Sequence, residues 1–221
     1  AAFIRQPEGL RRRMIIEAIR RVRPLADAAD AEVGSAHVIA VEGLLAESLS
    51  GSRVSLPGGL EVWREFDALV FKPSQMRGES LCEQELSRRN PRVEMAGVEI
   101  VLAHDLPGEL REESMQEALR ERDRQGRDWL MAVLDDEKLP EALVVRPRRA
   151  GERAQGLGGR KIKKLKKLMI DHRIPTSRRA LWPVVATPDG RYVWSPGLPP
   201  AVDFAASDQT RRLAILRASG I

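Results

Sequence analysis

The amino end of the chain carries apolar residues at helical spacing. Between residues 8 and 23, apolar side chains recur three or four positions apart, arginines fill most other positions, and Pro24 follows. This period predicts an amphipathic helix that ends before the proline. Residues 35–47 repeat the pattern and predict a second helix, with Ser35 as its N-cap.

Shorter apolar runs, bounded by turn residues, follow and predict strands. The turn Pro57-Gly58-Gly59 separates two of these runs, and Gly97 separates another two. A polar stretch with few apolar positions comes next and favours a helix. The predicted elements are strands at residues 53–56, 60–65, 68–71, 92–94 and 98–102, a helix at 114–124, a strand at 129–134, and a turn or single helical turn at 135–140.

The last third of the chain has its own pattern. A strand at residues 143–146 runs into Pro147, and a glycine-rich loop follows at 151–159. Residues 161–172 predict an amphipathic helix with lysines around an inward face of Ile162, Leu165, Leu168 and Met169. The remaining predictions are a short helix from Thr176 or Ser177 to Trp182, a hairpin of strands 184–186 and 191–194 around Thr187-Pro188-Asp189-Gly190, and a strand at 211–216.

These elements predict an α+β fold in two small domains, divided near Pro140. Residues 1–140 form an N-terminal helical domain with antiparallel hairpins. Residues 141–221 form a C-terminal mixed domain with a basic helix on an antiparallel sheet. A chain of 221 residues is long enough for two such cores.

The net charge of +5 is distributed very unevenly. Residues 146–179 contain 13 Lys and Arg against 2 acidic residues, whereas residues 1–145 contain 20 against 27. A basic block on an otherwise acidic chain indicates a polyanionic partner that one region contacts. A solvated helix face is the simpler reading, but such faces normally intersperse both signs of charge.

Between two polyanions, nucleic acid and a membrane surface, the residue types favour nucleic acid. A helix lying on anionic lipid usually places Trp or Phe on its apolar face, whereas residues 161–172 offer only aliphatic side chains there. The apolar runs elsewhere are strand-sized and too short to span a bilayer. Arginine forks also suit phosphate oxygens, which they bind with two hydrogen bonds.

Candidate catalytic and metal-binding patterns are weak. The three histidines, His37, His104 and His172, are far apart in sequence, and the lone Cys82 can form neither an internal disulfide nor a metal site by itself. We therefore expect no metal, a bystander thiol and a reducing, cytoplasmic setting. The loop at residues 156–159 lacks a phosphate-loop lysine and is either a phosphate cradle or a flexible turn.

Several motifs in the last third resemble the C-terminal domain of tRNA(Ile)-lysidine synthetases. The resemblance covers residues 139–216 and keeps the order of its elements. Upstream, LRRR at residues 10–13 and VSLPGGLEVWRE at 54–65 look like the preceding domain of that family. The motifs in the last third are LVVRPRRAGER at 143–153, LG at 157–158, KKLK at 163–166, DHRIP at 171–175, RRALWP at 178–183, DGR at 189–191 and VWSPG at 193–197.

The resemblance implies a concrete role. Enzymes of this family adenylate the wobble cytidine of an isoleucine tRNA with a CAU anticodon, and free lysine then displaces AMP. The PP-loop domain that performs this chemistry carries the motif SGGxDS, which this sequence lacks. We therefore expect a portion of a longer protein that needs no cofactor and turns over no ATP alone. ATP and lysine would be substrates of the parent enzyme.

In the family, the C-terminal domains hold the body of the tRNA, particularly the acceptor stem. The resemblance thus implies two partners, the CAU-bearing tRNA(Ile) and the PP-loop domain of the same protein. The residues predicted to bind RNA are Arg146, Arg148, Arg149, Arg153, Lys161, Lys163, Lys164, Lys166, Lys167, Arg173, Arg178 and Arg179.

The sequence leaves two other functions open. The first is a complete enzyme with an unrecognised site, for which the paired carboxylates near Asp135, Asp136 and Glu137 are the candidates. The second is a protein-interaction or dimerisation module that binds no RNA. The acidic balance of residues 1–145 favours this second alternative, and a homodimer is one form that it would take.

Overall fold

The computed structural model describes residues 3, 5–25, 32–47, 49–74, 82–125 and 129–220. Their contacts define two compact units. Unit 1 comprises residues 1–78 and 175–177, and unit 2 comprises residues 79–174 and 178–221. In the part of the chain so described, no helix has the length and apolar character needed to cross a bilayer.

Unit 1 packs two helices on a three-stranded antiparallel sheet, and the sequence predicted all five of these elements. The sheet has the order β1-β2-β3, with Leu56 opposite Leu60 at the first turn. The elements are α1 (Glu8–Val22), a 3₁₀ turn (Arg23–Leu25), α2 (Ser35–Glu47), β1 (Arg53–Leu56), β2 (Leu60–Glu65) and β3 (Ala68–Pro73).

The core of unit 1 follows from the two periods in its sequence. Ile15 and Ile19 lie one helical turn apart on α1 and are buried against Val38 and Val41 of α2. The inward face of the sheet adds alternate residues of β2, of which Val62 is fully buried. The helical and strand patterns therefore meet in one apolar cluster.

Unit 1 also contains a short stretch from late in the chain. The backbone N–H groups of Thr176 and Ser177 donate hydrogen bonds to the Glu65 carboxylate at 2.8 and 2.6 Å. The Lys72 ammonium donates to the carbonyl of Ser177 at 3.0 Å. Glu65 is 4% exposed, so these backbone donors satisfy a carboxylate that water barely reaches.

Unit 2 is built mainly from two four-stranded antiparallel sheets, with orders β12-β11-β8-β4 and β5-β6-β13-β7. The α+β fold class is thereby confirmed. The elements are β4 (Gln84–Ser87), β5 (Arg92–Met95), β6 (Val98–Pro107), α3 (Arg111–Gln125), β7 (Met131–Asp135), β8 (Ala142–Pro147), β9 (Arg153–Ala154), β10 (Lys163–Lys164), α4 (Leu165–Asp171), β11 (Pro183–Ala186), β12 (Tyr192–Trp194) and β13 (Arg212–Ser219), with 3₁₀ turns at Gly108–Leu110 and Asp136–Lys138.

The core of unit 2 anchors the basic segment. Leu165 and Met169 of α4 are fully shielded from solvent, and Leu168 is 7% exposed. They join the same cluster as Trp182 and Trp194. The predicted inward face of this helix is thus confirmed for three of its four residues. The assignment of Ile162 to the inward face is wrong, because Ile162 precedes the helix and is 59% exposed.

The structure changes three further predictions. The division near Pro140 falls inside unit 2, because strands before and after residue 140 pair with each other, as β4 does with β8. The helix predicted at residues 161–172 begins only at Leu165, since β10 pairs with β9 in extended conformation. The helix predicted up to Trp182 is a series of turns.

Replacing Met169 by Ala should destabilise unit 2. The change removes a fully buried side chain and leaves a cavity, for which we expect a loss of roughly 2–5 kcal/mol in the free energy of unfolding. Ile162→Ala is the matched control, with an expected loss below about 1 kcal/mol, because that side chain already lies mostly in water. Urea unfolding measures both. Equal losses would contradict the inward face assigned to α4.

Candidate nucleic-acid interface

The first arginines of the basic segment lie in the turn between β8 and β9. Pro147 ends β8, and Gly151 has a φ of 76°, a left-handed conformation that glycine adopts without strain. We call residues 147–151 the arginine turn. Arg149 is exposed, whereas Arg148 is half-buried and donates to the carbonyl of Arg149 at 3.2 Å.

Arg146 is buried rather than exposed at the protein surface. Its side chain is 3% exposed, and its guanidinium contacts both carboxylate oxygens of Glu152, at 2.7 and 3.3 Å. Arg146 therefore does not belong to the exposed cations, and its predicted contact with RNA stays a prediction. The sequence gives no sign of this burial, because it depends on the pairing with a carboxylate six positions later.

Two cations face each other across the short β9–β10 ladder. Arg153 pairs directly with Lys164, and both side chains are exposed. Like charges in directly opposed positions destabilise a strand pair. Among the residues that the structure describes, no carboxylate lies within ion-pair distance of either one. The ladder therefore holds positive charge that no carboxylate of the described residues neutralises.

The loop before β10 adds more exposed cations. Arg160 and Lys161 follow the glycine turn 156–159, and Lys166 lies on α4. In the described ranges these three also have no carboxylate partner. We call the exposed cations of this region the basic surface. Its members are Arg153, Arg160, Lys161, Lys163, Lys164, Lys166 and Lys167.

The glycine turn holds close approaches that a side chain would prevent. A Cβ at Gly156 would lie 2.6 Å from Cγ of Pro199, and one at Gly159 would lie 2.9 Å from the carbonyl oxygen of Gly156. Gly159 also donates its N–H to that carbonyl at 2.8 Å. These contacts require glycine at positions 156 and 159, and Gly158 has a φ of 78°.

Asp171 neutralises part of the basic surface. Lys167 contacts one of its carboxylate oxygens at 2.9 Å, and Lys163 contacts the other at 3.3 Å. The hydrogen bond from Lys167, assisted by Lys163, holds the pKa of Asp171 below its ordinary value. Lys163 and Lys167 are 52% and 62% exposed, so both remain accessible to a competing anion.

The last three predicted residues have mixed settings. Arg173 is exposed and adopts a φ of 56° in the turn that ends α4. Arg178 is half-buried, stacks 4.8 Å from the ring centre of Trp182 and donates to the carbonyl of Ala96. Arg179 is half-buried and donates to the carbonyl of Ile174 at 2.7 Å. Arg178 and Arg179 thus contribute to packing.

The sequence prediction of the site missed Arg160 and the carboxylates. Arg160 belongs to the same unbroken basic run, and that run was a sufficient signal. The pairing of Lys167 with Asp171 was also readable from their i,i+4 spacing. Glu83, whose carboxylate lies 2.5 Å from the Arg149 guanidinium, gave no such signal because 66 positions separate the two.

The alternative site predicted near Asp135, Asp136 and Glu137 consists of internal contacts and one exposed residue. Asp135 is buried and accepts a hydrogen bond from the hydroxyl of Thr210 at 3.0 Å. Asp136 is also buried, with an oxygen 2.5 Å from Nδ1 of His104. Within the described ranges, no three metal-ligating side chains form a cluster.

Residues 143–216 match the family described as the TilS substrate C-terminal domain. This stretch contains β8, the arginine turn, the basic surface and most of β13. The last third of the chain is therefore similar to a TilS C-terminal domain.

Curated relatives extend the likeness beyond that domain. The tRNA(Ile)-lysidine synthase of Geobacillus kaustophilus is 30% identical over 198 residues, which are 89% of this chain and 39% of the relative. The tRNA(Ile)-lysidine synthase of Bacillus subtilis is 35% identical over 66 residues, 30% of this chain and 14% of the relative. The chain thus spans well under half the length of these relatives, and the predicted family resemblance is confirmed for the TilS C-terminal domain.

A comparison with solved structures also found a TilS C-terminal domain. A crystal structure of a TilS C-terminal domain aligns with 63% of this chain and 98% of its own length, at 22% identity and a TM-score of 0.44. The assignment of individual cations to RNA stays a prediction.

Asp171 should titrate below its ordinary pKa in the folded protein, and Lys167→Ala should raise that pKa. A lowered folded-state pKa means that the charged carboxylate stabilises the native state at pH values above its unfolded pKa. The contribution is lost as pH falls through the folded pKa. Carboxyl NMR titration measures this shift. Lys161→Ala removes the same charge without a contact to Asp171 and should leave the midpoint nearly unchanged. An equal rise in both variants would contradict the pairing.

Proposed function

We propose that this chain is the tRNA-binding portion of a tRNA(Ile)-lysidine synthase and that its basic surface holds the sugar–phosphate backbone. The substrate would be tRNA(Ile) with a CAU anticodon, gripped at its body and acceptor stem. The family match of residues 143–216 and the names of the curated relatives support this proposal.

The opposed pair of Arg153 and Lys164 is the observation on which the proposal rests. Their mutual repulsion lowers the stability of the ladder, and the protein places no carboxylate of the described residues beside them. A phosphate between the two would remove that repulsion. Each cation that neutralises a phosphate also releases condensed counterions from the nucleic acid, which favours binding at low salt.

The aromatic residues of unit 2 support duplex RNA as the ligand rather than single strands. Proteins that bind single strands usually stack bases on exposed rings. In the described part of unit 2, the rings of Trp182, Tyr192, Trp194 and Phe204 are buried, and Trp129 is half-buried. A stem offers phosphates, 2′-hydroxyls and shape instead of open bases, which suits a surface of lysine and arginine.

The chemistry of the parent enzyme would take place elsewhere. ATP and lysine would be consumed by a PP-loop catalytic domain of the same protein. The 221 residues of this chain contain no SGGxDS motif and cover 39% of the length of the Geobacillus relative. We therefore expect this chain to bind tRNA without forming lysidine, and we expect the parent to act in the cytoplasm.

The chain should bind tRNA in a salt-dependent manner. Fluorescence anisotropy with a CAU-bearing tRNA(Ile) transcript and a non-cognate tRNA, at two salt concentrations, tests this. Tighter binding of the cognate tRNA would show that the chain contributes to identity, whereas equal binding would leave specificity to the catalytic domain. If neither tRNA bound, the proposal would fail, and sedimentation would then test the dimerisation module.

The double variant Lys164→Ala/Lys166→Ala should bind tRNA more weakly and with a smaller salt slope. Removing one phosphate-neutralising cation reduces the slope of log affinity against log salt by roughly 0.7–0.9. Arg20→Ala/Arg21→Ala is the matched control, because it also removes two exposed positive charges but lies on α1 of unit 1. An equal decrease in affinity for both variants would indicate a general charge effect and contradict the assigned surface.

A further inference from the structure

Glu152 lies at the centre of the contacts that shape the arginine turn. Its Oε1 and Oε2 contact the two terminal nitrogens of Arg146 at 2.7 and 3.3 Å. Its Oε2 also accepts a hydrogen bond from the backbone N–H of Arg149 at 3.1 Å. One carboxylate thus binds the last strand residue before the turn and the backbone in the middle of it.

The backbone of Glu152 makes a second, independent connection. Its carbonyl oxygen accepts a hydrogen bond from the N–H of Leu165 at 2.7 Å. Leu165 is the first residue of α4 and is fully buried. Arg153, which follows Glu152, pairs with Lys164, which precedes Leu165. The carbonyl of Glu152 is therefore hydrogen-bonded to the residue at which α4 begins, directly after β10.

The surroundings of Glu152 explain why its contacts hold. The side chains of Arg146 and Glu152 are only 3% and 9% exposed, so water competes little for either charge. A buried ion pair of this kind resists separation, because either charge would be left without compensation. The nearby ring of Tyr192 is buried as well, and its hydroxyl donates to the carbonyl of Pro199 at 3.0 Å.

We propose that Glu152 is a positioning residue that holds the arginine turn, together with the adjoining basic surface, in place for RNA, although it is itself an anion within a polyanion-binding segment. The inference rests on the proposed tRNA binding. Arg146 acts with Glu152 and contacts no RNA. Through its side chain Glu152 orders the backbone at Arg149, and through its carbonyl it orders the start of α4 beside Lys164.

The proposal and a simple long-range charge effect predict opposite changes in tRNA affinity when the Glu152 carboxylate is removed. Removing a negative charge from a protein that binds RNA strengthens binding if long-range electrostatics decide. If the carboxylate positions the arginine turn, removing it weakens binding instead, because the turn must be ordered when the RNA binds. The direction of the change therefore separates the two.

Two variants of the ion pair make the test independent of misfolding. Glu152→Gln keeps the shape of the side chain but removes its charge. The double variant Arg146→Met/Glu152→Leu replaces the pair by apolar side chains, which often preserves a fold because no unpaired charge remains. The matched control is Glu99→Gln, which removes one negative charge from the exposed pair of Arg92 and Glu99 in the same unit.

We expect both variants of the pair to bind tRNA roughly tenfold more weakly than the wild type, as for the loss of one charge-assisted hydrogen bond. Glu99→Gln should bind as tightly as the wild type or slightly more tightly. Amide hydrogen exchange supplies a readout without RNA. In both variants the Arg149 amide should exchange faster, while amides of β8 and β11 stay protected.

Each outcome has a defined meaning. If the wild type bound tRNA and both variants bound as Glu99→Gln does, the positioning role would be overturned and the proposed function would stand. Unchanged exchange at Arg149 would overturn it as well. If the wild type bound no tRNA, the proposed function would fail and the positioning role would fail with it.

Discussion

The ion pair of Arg146 and Glu152 fastens the most basic part of the chain to an apolar core. Both side chains are almost fully shielded, so each charge depends on the other for compensation. The pair joins the end of β8 to the start of β9, and the carbonyl of Glu152 joins β9 to α4. The contacts of Glu152 thus adjoin the turn that carries Arg149 and the ladder that carries Arg153 and Lys164.

The carboxylates around the basic segment pair with some of its cations and leave others without an acidic partner. Residues 146–179 contain only two acidic residues, Glu152 and Asp171, and each contacts two cations or a cation and a backbone donor. Arg146 forms a buried ion pair with Glu152, whereas Lys163 and Lys167 both contact the more exposed Asp171. Lys161, Lys164, Lys166 and Arg153 have no carboxylate partner in the part of the chain that the structure describes. A protein that retains such repulsion loses some stability, which is a common feature of binding sites.

Much of the fold was predictable from the sequence because its strands and helices carry clear periods. The bounds of β1 and β2 agree with the structure to the residue, and α2 begins at Ser35, which the sequence predicted as its N-cap. The short elements were not predictable, since β9 and β10 have two residues each and form only because their partners lie opposite. That pairing also explains why the helix begins at Leu165, against the helical pattern of the four preceding residues.

The site was predictable as a region but not residue by residue. Charge counting located a basic segment at residues 146–179, most of whose cations are exposed, because charge is a property of composition. It could not show that Arg146 is buried, because that burial depends on the fold and on a carboxylate six positions later. The ion pair of Arg149 with Glu83 could not be predicted from the sequence, since only the tertiary fold brings the two residues together.

The contact between Glu65 and the backbone of Thr176 and Ser177 bears on how this protein can be divided. Unit 1 is assembled from two separate stretches of chain, and the second contributes the donors that satisfy a nearly buried carboxylate. A fragment that stopped before residue 175 would leave that carboxylate without those two partners. A fragment intended to contain unit 1 therefore has to include both stretches of the chain.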